Sequence, residues 1–490
     1  MRRHRTIYFN DARHYYLFVF EPPMRMEDAW KPVDEVAGTA VDTLAYGVSR
    51  GDGLFYPSEK GRRFGEDVEK MTMAAYWRVW ENMQSLIDRG LDPLRVLVDR
   101  AHEKGMDFFA SLRMGDFPGL DPSFTLPGGG RGYVHEETRD HQFGVLEELA
   151  TRYPVEGVEL DFAAAPGGTS FWLQPEDVGE HTPLMTDYVR GISRMVRQRP
   201  GKPGVLGARV YPAEELNLKA GLDVRAWLEE GLVDYVVPLV YVYFVLDSHM
   251  PTDWLIEAAH ASDVSVYPML QPYYSDGSRQ FHSVTNATPA MMRAAAANNL
   301  ARGADGIYTW FMPWPLGESE RNTLTELGDP ELVAEGDKHY FLRRASEAAA
   351  GHDYLGHLPL ALPQADAGKP FQLPFYVADD PGNPRVQRIT LRLGVSDLLS
   401  ADRLEVSLNG VSLAGETCTR TALHRVDPYM GQWLEFDLRS VRPRQGENVL
   451  GLVLQGRPEN IGSEIAVEDL EIVVNYGTFP ALPASGAGEL

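Results

Sequence analysis

The chain is short of cysteine, of positive charge and of long apolar runs. Cys418 is the single cysteine among 490 residues, which excludes an intrachain disulfide and any zinc or iron–sulfur site built on cysteine. Lys and Arg number 46 against 70 Asp and Glu, a formal net charge of −24. Like charges repel, so neither nucleic acid nor an anionic membrane is expected as a partner. A neutral or cationic ligand is favoured over a polyanion. No apolar run is long enough to cross a bilayer. Arg2-Arg3-His4-Arg5 passes straight into the strand-like Thr6–Phe9, with no apolar region or cleavage site of a signal peptide. The expected location is the cytoplasm, or a secreted or periplasmic one for a chain already stripped of its signal.

What is present is ample core material: 44% of residues are hydrophobic, enough for a large domain and a smaller one. The first part alternates strand and helix signals. Strands are predicted at Thr6–Phe9, Asp42–Val48, Asp107–Met114, Gly157–Phe162, Val205–Tyr211, Tyr235–Tyr243, Val264–Leu270 and Gly306–Phe311. Helices are predicted around Glu27–Val36, through Val68–Gly105 with a new start at Asp92-Pro93, and at Val134–Tyr153, Pro183–Arg197, Asp223–Glu230, Thr252–Ala261 and Pro289–Arg302. Several of these helices end in Gly just before an apolar strand, the punctuation of a parallel sheet. Eight such units imply an α/β fold, a (β/α)8 TIM barrel, over residues 1–340; an open doubly wound sheet is the alternative.

After about Tyr354 helical periodicity stops. Short alternating runs appear between turn residues, among them Arg403–Leu408 before the hairpin signal Asn409-Gly410. The reading is a linker helix over 341–357, a jelly-roll-like all-β sandwich over 358–477 and a tail over 478–490.

Barrel chemistry gathers at the C-terminal ends of strands. In Gly157-Val158-Glu159-Leu160-Asp161-Phe162, Glu159 and Asp161 point the same way, with Cα atoms about 6.6 Å apart. Two acids aimed inward are costly unless paired or used. Asp161 is the candidate nucleophile or stabiliser, Glu159 lies one layer deeper, and Asp116 in the loop after strand three is a candidate general acid. The bland alternative is a structural acid pair bonded to core arginines, with Asp116 a turn residue. Arg113 and Arg209 are inward arginines that could hold those carboxylates or clamp substrate. Asn10 and Asp11 close strand one; they could bind sugar hydroxyls or cap a turn. Tyr241 and Tyr243 share a face of strand six. Gln271 and Tyr273 follow strand seven, and Trp310 and Trp314 follow strand eight. Flat aromatic faces suit pyranose rings, although a single tryptophan is usually core. The Gly-rich stretches Gly51–Pro57 and Pro127–Tyr133 are candidate lids or plain connections. Gly47-Val48-Ser49-Arg50-Gly51 matches a nucleophile elbow but lacks the helix it needs, and His102-Glu103 and His135-Glu136 lack the second histidine of a zinc helix.

The Gly157–Phe162 strand, Ser111-Leu112-Arg113-Met114 and Gly303-Ala304-Asp305-Gly306-Ile307-Tyr308 together resemble the bacterial glycosyl-hydrolase-like family-10 group of TIM-barrel proteins, over about residues 6–330. The resemblance implies hydrolysis of glycosidic bonds without naming the sugar. Strand four is also similar to the family 18 chitinase pattern, but Ala163 stands where that family has its terminal catalytic Glu, which leaves the general acid unassigned. The expectation is a glycoside hydrolase acting on an oligo- or polysaccharide, with a carbohydrate partner, no cofactor, no metal, and self-association left open. A non-catalytic glycan-binding protein is a second reading. A polysaccharide lyase using Tyr243 and Arg113 is a third, disfavoured by the acidic balance.

Overall fold

A computed structural model of the chain describes residues 4–11, 16–51, 53–124, 132–163, 176–239, 245–274, 285–344, 356–423 and 431–479. Nine strands make one parallel, curled sheet: β1 (Arg5–Asp11), β2 (Thr43–Gly47), β3 (Asp107–Arg113), β4 (Gly157–Asp161), β5 (Val205–Val210), β6 (Tyr235–Pro238), β7 (Ser265–Val266), β8 (Met269–Leu270) and β9 (Gly306–Thr309). Their order is β8-β9-β1-β2-β3-β4-β5-β6-β7. The two end strands are consecutive in the chain, separated by Tyr267-Pro268 alone. Val264–Leu270 is therefore two short pieces rather than one strand. Pro268 has no N–H to give a ladder, so the pairing breaks there. Tyr267 N still donates to Val236 O at 3.0 Å on one side, while Trp310 N donates to Leu270 O at 3.0 Å on the other. The sheet is thus barrel-like, with β1, β2 and β4 buried along their whole length, as expected of strands covered on both faces.

Local chemistry sets the helices. Asp92 accepts from the amides of Leu94 and Arg95, with Pro93 opening helix Pro93–Glu103. Thr288 does the same before Pro289–Ala301. Gly231 and Gly303, at φ of +60° and +106°, close the helices that precede β6 and β9, where a side chain would be strained. Two helical expectations shift. Glu27–Val36 is two four-residue helices, Met26–Ala29 and Lys31–Asp34, and the helix expected from Pro183 begins at Val178 with Pro183 inside it.

The C-terminal part is antiparallel. One sheet pairs Lys338–Phe341, Ile465–Tyr476, Val386–Ser396, Gly431–Asp437 and Thr417–Leu423 in that order, with Leu360–Leu362 added on Ile465–Tyr476. A four-stranded sheet runs Pro370–Val377, Gly446–Gly456, Arg403–Leu408, Val411–Ser412. Leu391, Leu393, Leu408, Leu452 and Ile472 share its core. Asn409 and Gly410 turn with φ of 51° and 82°, the left-handed pair a two-residue hairpin requires. Lys338–Phe341 pairs with Ile465–Tyr476, so the β region already begins inside the stretch read as barrel end and linker. The rest of that linker, 345–355, and the tail from 480 lie outside the described residues.

The two parts are bonded together near the site strands. Asn298 donates to Ser248 O at 2.9 Å and to Tyr376 O at 3.1 Å, and accepts from Ala378 N at 3.1 Å. Tyr274, just beyond β8, donates to Glu471 at 3.1 Å.

Candidate active site

Register builds the site in two layers. Ser111, Glu159 and Gly207 are neighbours across β3, β4 and β5, and Gly207 pairs with Tyr235 on β6. The ring of Tyr235 lies over Gly207, where a Cβ would sit 1.9 Å from Cζ. Glycine is what lets this tyrosine reach Glu159, to which its hydroxyl donates at 2.9 Å. Ser111 Oγ donates to Glu159 at 2.7 Å, and the Tyr308 hydroxyl donates to it at 3.1 Å. Arg209 Nε is 2.7 Å from the same carboxylate. Glu159 is 0% exposed, so these partners replace water completely. The Arg209 guanidinium lies 3.8 Å from the centre of the Phe9 ring and donates to Tyr308 Oη at 2.5 Å. Burial disfavours this cation, but Glu159, Tyr308 and Asp161 together outweigh it and raise its pKa.

One step up, Arg113, Asp161 and Arg209 are register neighbours. Arg209 Nη1 bonds Asp161 Oδ2 at 3.0 Å, and Arg113 Nη2 bonds Asp11 Oδ2 at 2.9 Å. Asp161 is turned into the sheet's interior and is 2% exposed. Asp116 stands beside this layer. Burial pushes its carboxyl up to about 7; Arg113 opposes the rise, and Asp11 and Asp161 add to it. The Gly51 amide bonds this carboxyl, whereas the buried Oδ2 has no hydrogen-bond partner. Tyr211, one step beyond Arg209, also faces Asp161; burial and then that charge push its hydroxyl up to about 12.

The other expected residues divide. Asn10, 1% exposed, lies on the far side of β1 from Phe9 and Asp11 and donates to Glu35 at 3.4 Å. Trp314 donates to the same Glu35 at 2.9 Å. Gln271 is 4% exposed with Nε2 unpartnered. Tyr273 is half-buried in a short hairpin with Asn286. Trp310 is fully enclosed, 4.7 Å from Phe9 between ring centres, and has no open face for a sugar. Tyr241 and Tyr243 lie outside the described residues, as do 164–175 after β4.

Sequence reasoning missed Ser111, Tyr211, Tyr235, Tyr308, Gly207 and Glu35. The first four carry a legible signal, since each shares the inward parity of Glu159, Arg209 or Trp310 on its own or a neighbouring strand. Glu35 carries none; it belongs to a turn after a short helix. Burial pushes its carboxyl up to about 7 against the pull of Trp314, Lys31 and Asn10. Of the two lid candidates, Leu54, Phe55 and Tyr56 are buried, and Tyr56 donates to Glu148 at 3.0 Å. That stretch is wall. Most of the other, 125–131, lies outside the described residues. Among the described residues no group of three or more His, Cys, Asp or Glu is placed to hold a metal ion, and no helix is long and apolar enough to cross a membrane.

No protein-family model and no curated protein matches the chain, so the family-10 resemblance rests on its strand motifs. Solved structures similar to it include α-L-fucosidase isoenzyme 2 from Paenibacillus thiaminolyticus, at 13% identity and a TM-score of 0.40, covering 68% of this chain and 49% of that one. A GH29 α-L-fucosidase from Bacteroides thetaiotaomicron has 11% identity and a TM-score of 0.39, covering 93% and 94%. The spore cortex-lytic enzyme SleL of Bacillus megaterium has 10% identity and a TM-score of 0.38, covering 66% and 74%.

Proposed function

We propose that this chain is a glycoside hydrolase. Its curled sheet is read as a (β/α)8 TIM barrel with a split seventh strand, and its C-terminal sheets as a jelly-roll-like accessory sandwich. One observation carries the reading: two neighbouring acids sit in opposed environments. Asp161 is ion-paired to Arg209 at 3.0 Å, which favours the carboxylate. Asp116 is half-buried, with its Oδ2 enclosed and unpartnered and its pKa pushed up to about 7, which favours the acid. Carboxyls driven apart in this way can divide the work of cleaving a glycosidic bond. Asp161 attacks or stabilises the anomeric carbon. Asp116 gives its proton to the leaving oxygen.

Arg113 and Asp11 shape the charge around that proton. Glu159, saturated by its neighbours, acts through Arg209 rather than on the sugar. Gln271 and Tyr273 supply polar and aromatic contact on the side of β8, and Trp314 on the side of β9. The substrate is an oligo- or polysaccharide, and no step calls for a cofactor.

The test is release of reducing ends from a panel of glycans by the wild-type chain and by Asp161→Asn. The wild type is expected to cleave at least one glycan, and the variant to bind it with little turnover. Binding without release by the wild type would instead identify a glycan-binding protein, and a product absorbing as an unsaturated uronate would identify a lyase.

A further inference from the structure

Where the barrel part meets the C-terminal sheets there is a cavity of about 180 Å³, half-open to solvent. One enclosed water needs roughly 15 Å³, so this space admits a molecule of many atoms. Among the described residues, none of the acid layer lines it. Strand parity builds one wall. In Pro370–Val377 the side chains of Leu373, Phe375 and Val377 face the core, so Pro374 and Tyr376 face outward. Glu447 stands directly opposite Tyr376 on the paired strand Gly446–Gly456 and shares that outer face. The other wall comes from the barrel part: Pro251, just before helix Asp253–Ala261, and Arg302, which closes helix Pro289–Ala301. Asp247 and Arg343 complete the lining, already paired with each other at 3.2 Å.

Arg302 is the group left short of partners. Its side chain is 12% exposed, and its guanidinium lies 4.9 Å from the centre of the Tyr376 ring. Among the described residues it makes one hydrogen bond, from Nη1 to Met250 O at 2.8 Å. Nε lies 3.6 Å from Asp253 without a hydrogen bond, and Nη2 is 3.5 Å from Glu447 Oε1. A guanidinium has five N–H donors, and enclosing them unpaired is costly. The charges around the cavity balance, two arginines against two carboxylates. Burial lowers the pKa of His249, another lining residue, to about 4, so that ring adds no charge at neutral pH. An anion would meet Glu447 and Asp247, and a cation would meet Arg302 and Arg343. An uncharged molecule with adjacent hydroxyls suits both signs, because each hydroxyl accepts from a guanidinium and donates to a carboxylate. Pro251, Pro374 and Tyr376 offer it apolar surface for the C–H face of a ring.

We propose that this cavity is a saccharide-binding site separate from the acid layer, which takes one uncharged sugar unit between Arg302 and Glu447 and performs no chemistry on it. The site stands on its own lining and does not depend on the glycosidase reading.

The test titrates the full chain with a panel of uncharged methyl pyranosides, followed by ligand-observed NMR, with acetate and glycine as the anionic and zwitterionic comparisons. At least one pyranoside is expected to bind with a Kd on the order of 1 mM, as for a ligand of about a dozen heavy atoms. Glu447→Ala should weaken it about tenfold, as for one lost hydrogen bond to a charged group; this side chain is 68% exposed, so the fold tolerates its loss. Arg302→Met should weaken it at least as much, and Asp161→Asn should leave it within about twofold. Four results would each overturn the proposal: no pyranoside bound, binding indifferent to Glu447→Ala and Arg302→Met, binding lost with Asp161→Asn, or acetate or glycine held more tightly through Arg302 than any pyranoside. A wild type that cleaves no glycan sinks the glycosidase reading alone, and this titration still decides whether the cavity holds a sugar.

Discussion

Glu159 and Asp161 are two residues apart on one strand, face the same interior and are both almost wholly buried. Their surroundings differ. Glu159 receives Ser111, Tyr235 and Tyr308 and an ion pair from Arg209. That layer is complete, and its role is to hold. The layer above pairs Asp161 with Arg209 and Asp11 with Arg113, yet leaves Asp116 with a bare oxygen beside them. Buried carboxylates alone do not mark chemistry. An enclosed carboxyl oxygen with unmet hydrogen-bonding capacity, next to an acid paired with an arginine, makes the better candidate.

This contrast can be broken by substitution. The largest effect is expected at Asp161: Asp161→Asn should lower turnover by about 10³-fold or more, as activity assays would read, and it also breaks a buried ion pair with Arg209 and lowers stability. Glu159→Gln is expected to act chiefly on stability. It breaks a fully buried ion pair and should cost about 3 kcal/mol of stability, seen in chemical denaturation, with activity falling only as far as Arg209 moves. If Glu159→Gln abolished turnover in a fully stable protein, the two layers would not be distinct in kind.

Asp116→Asn comes next, at about 10²-fold in kcat/KM. A general acid must carry its proton, so wild-type kcat/KM should fall as pH rises through about 7, and the variant should lose that limb. Stability sharpens the same point. The folded state keeps the Asp116 proton to about 7, whereas the unfolded chain releases it near 4. Its contribution is therefore fully present at low pH and is lost as pH rises through that window. Asp116→Asn should gain on the wild type in melting temperature between pH 5 and pH 8. The smallest effect is Tyr235→Phe, which removes one of several bonds to Glu159 and should cost about 1 kcal/mol without altering the pH profile.

The parallel strands, the capped helices at Asp92 and Thr288 and the Asn409-Gly410 hairpin are legible because each is a local pattern: an apolar run, a cap, a pair of left-handed residues. Two slips fall at prolines, Pro268 splitting one strand and Pro183 lying inside a helix; a third, the strand Lys338–Phe341 in the stretch read as barrel end and linker, involves none. At the site, Asp161, Glu159, Arg113, Arg209, Asp116 and Asp11 could be picked out as charged residues at strand ends. Trp310 could not be told from Trp314, since both follow the same strand; one is enclosed by Phe9 and the other bonds Glu35.

From the chain alone came the alternation of strand and helix, the β-rich C-terminal part and the inward acids, because side-chain parity and turn chemistry act over a few residues. Only tertiary structure decided which acid is saturated and which keeps an open valence. Ser111, Arg209, Tyr235 and Tyr308 come to Glu159 from four other strands, and the desolvation that raises Asp116 is a sum over everything packed around it. Such sums have no local signature, so no short stretch of sequence could announce them.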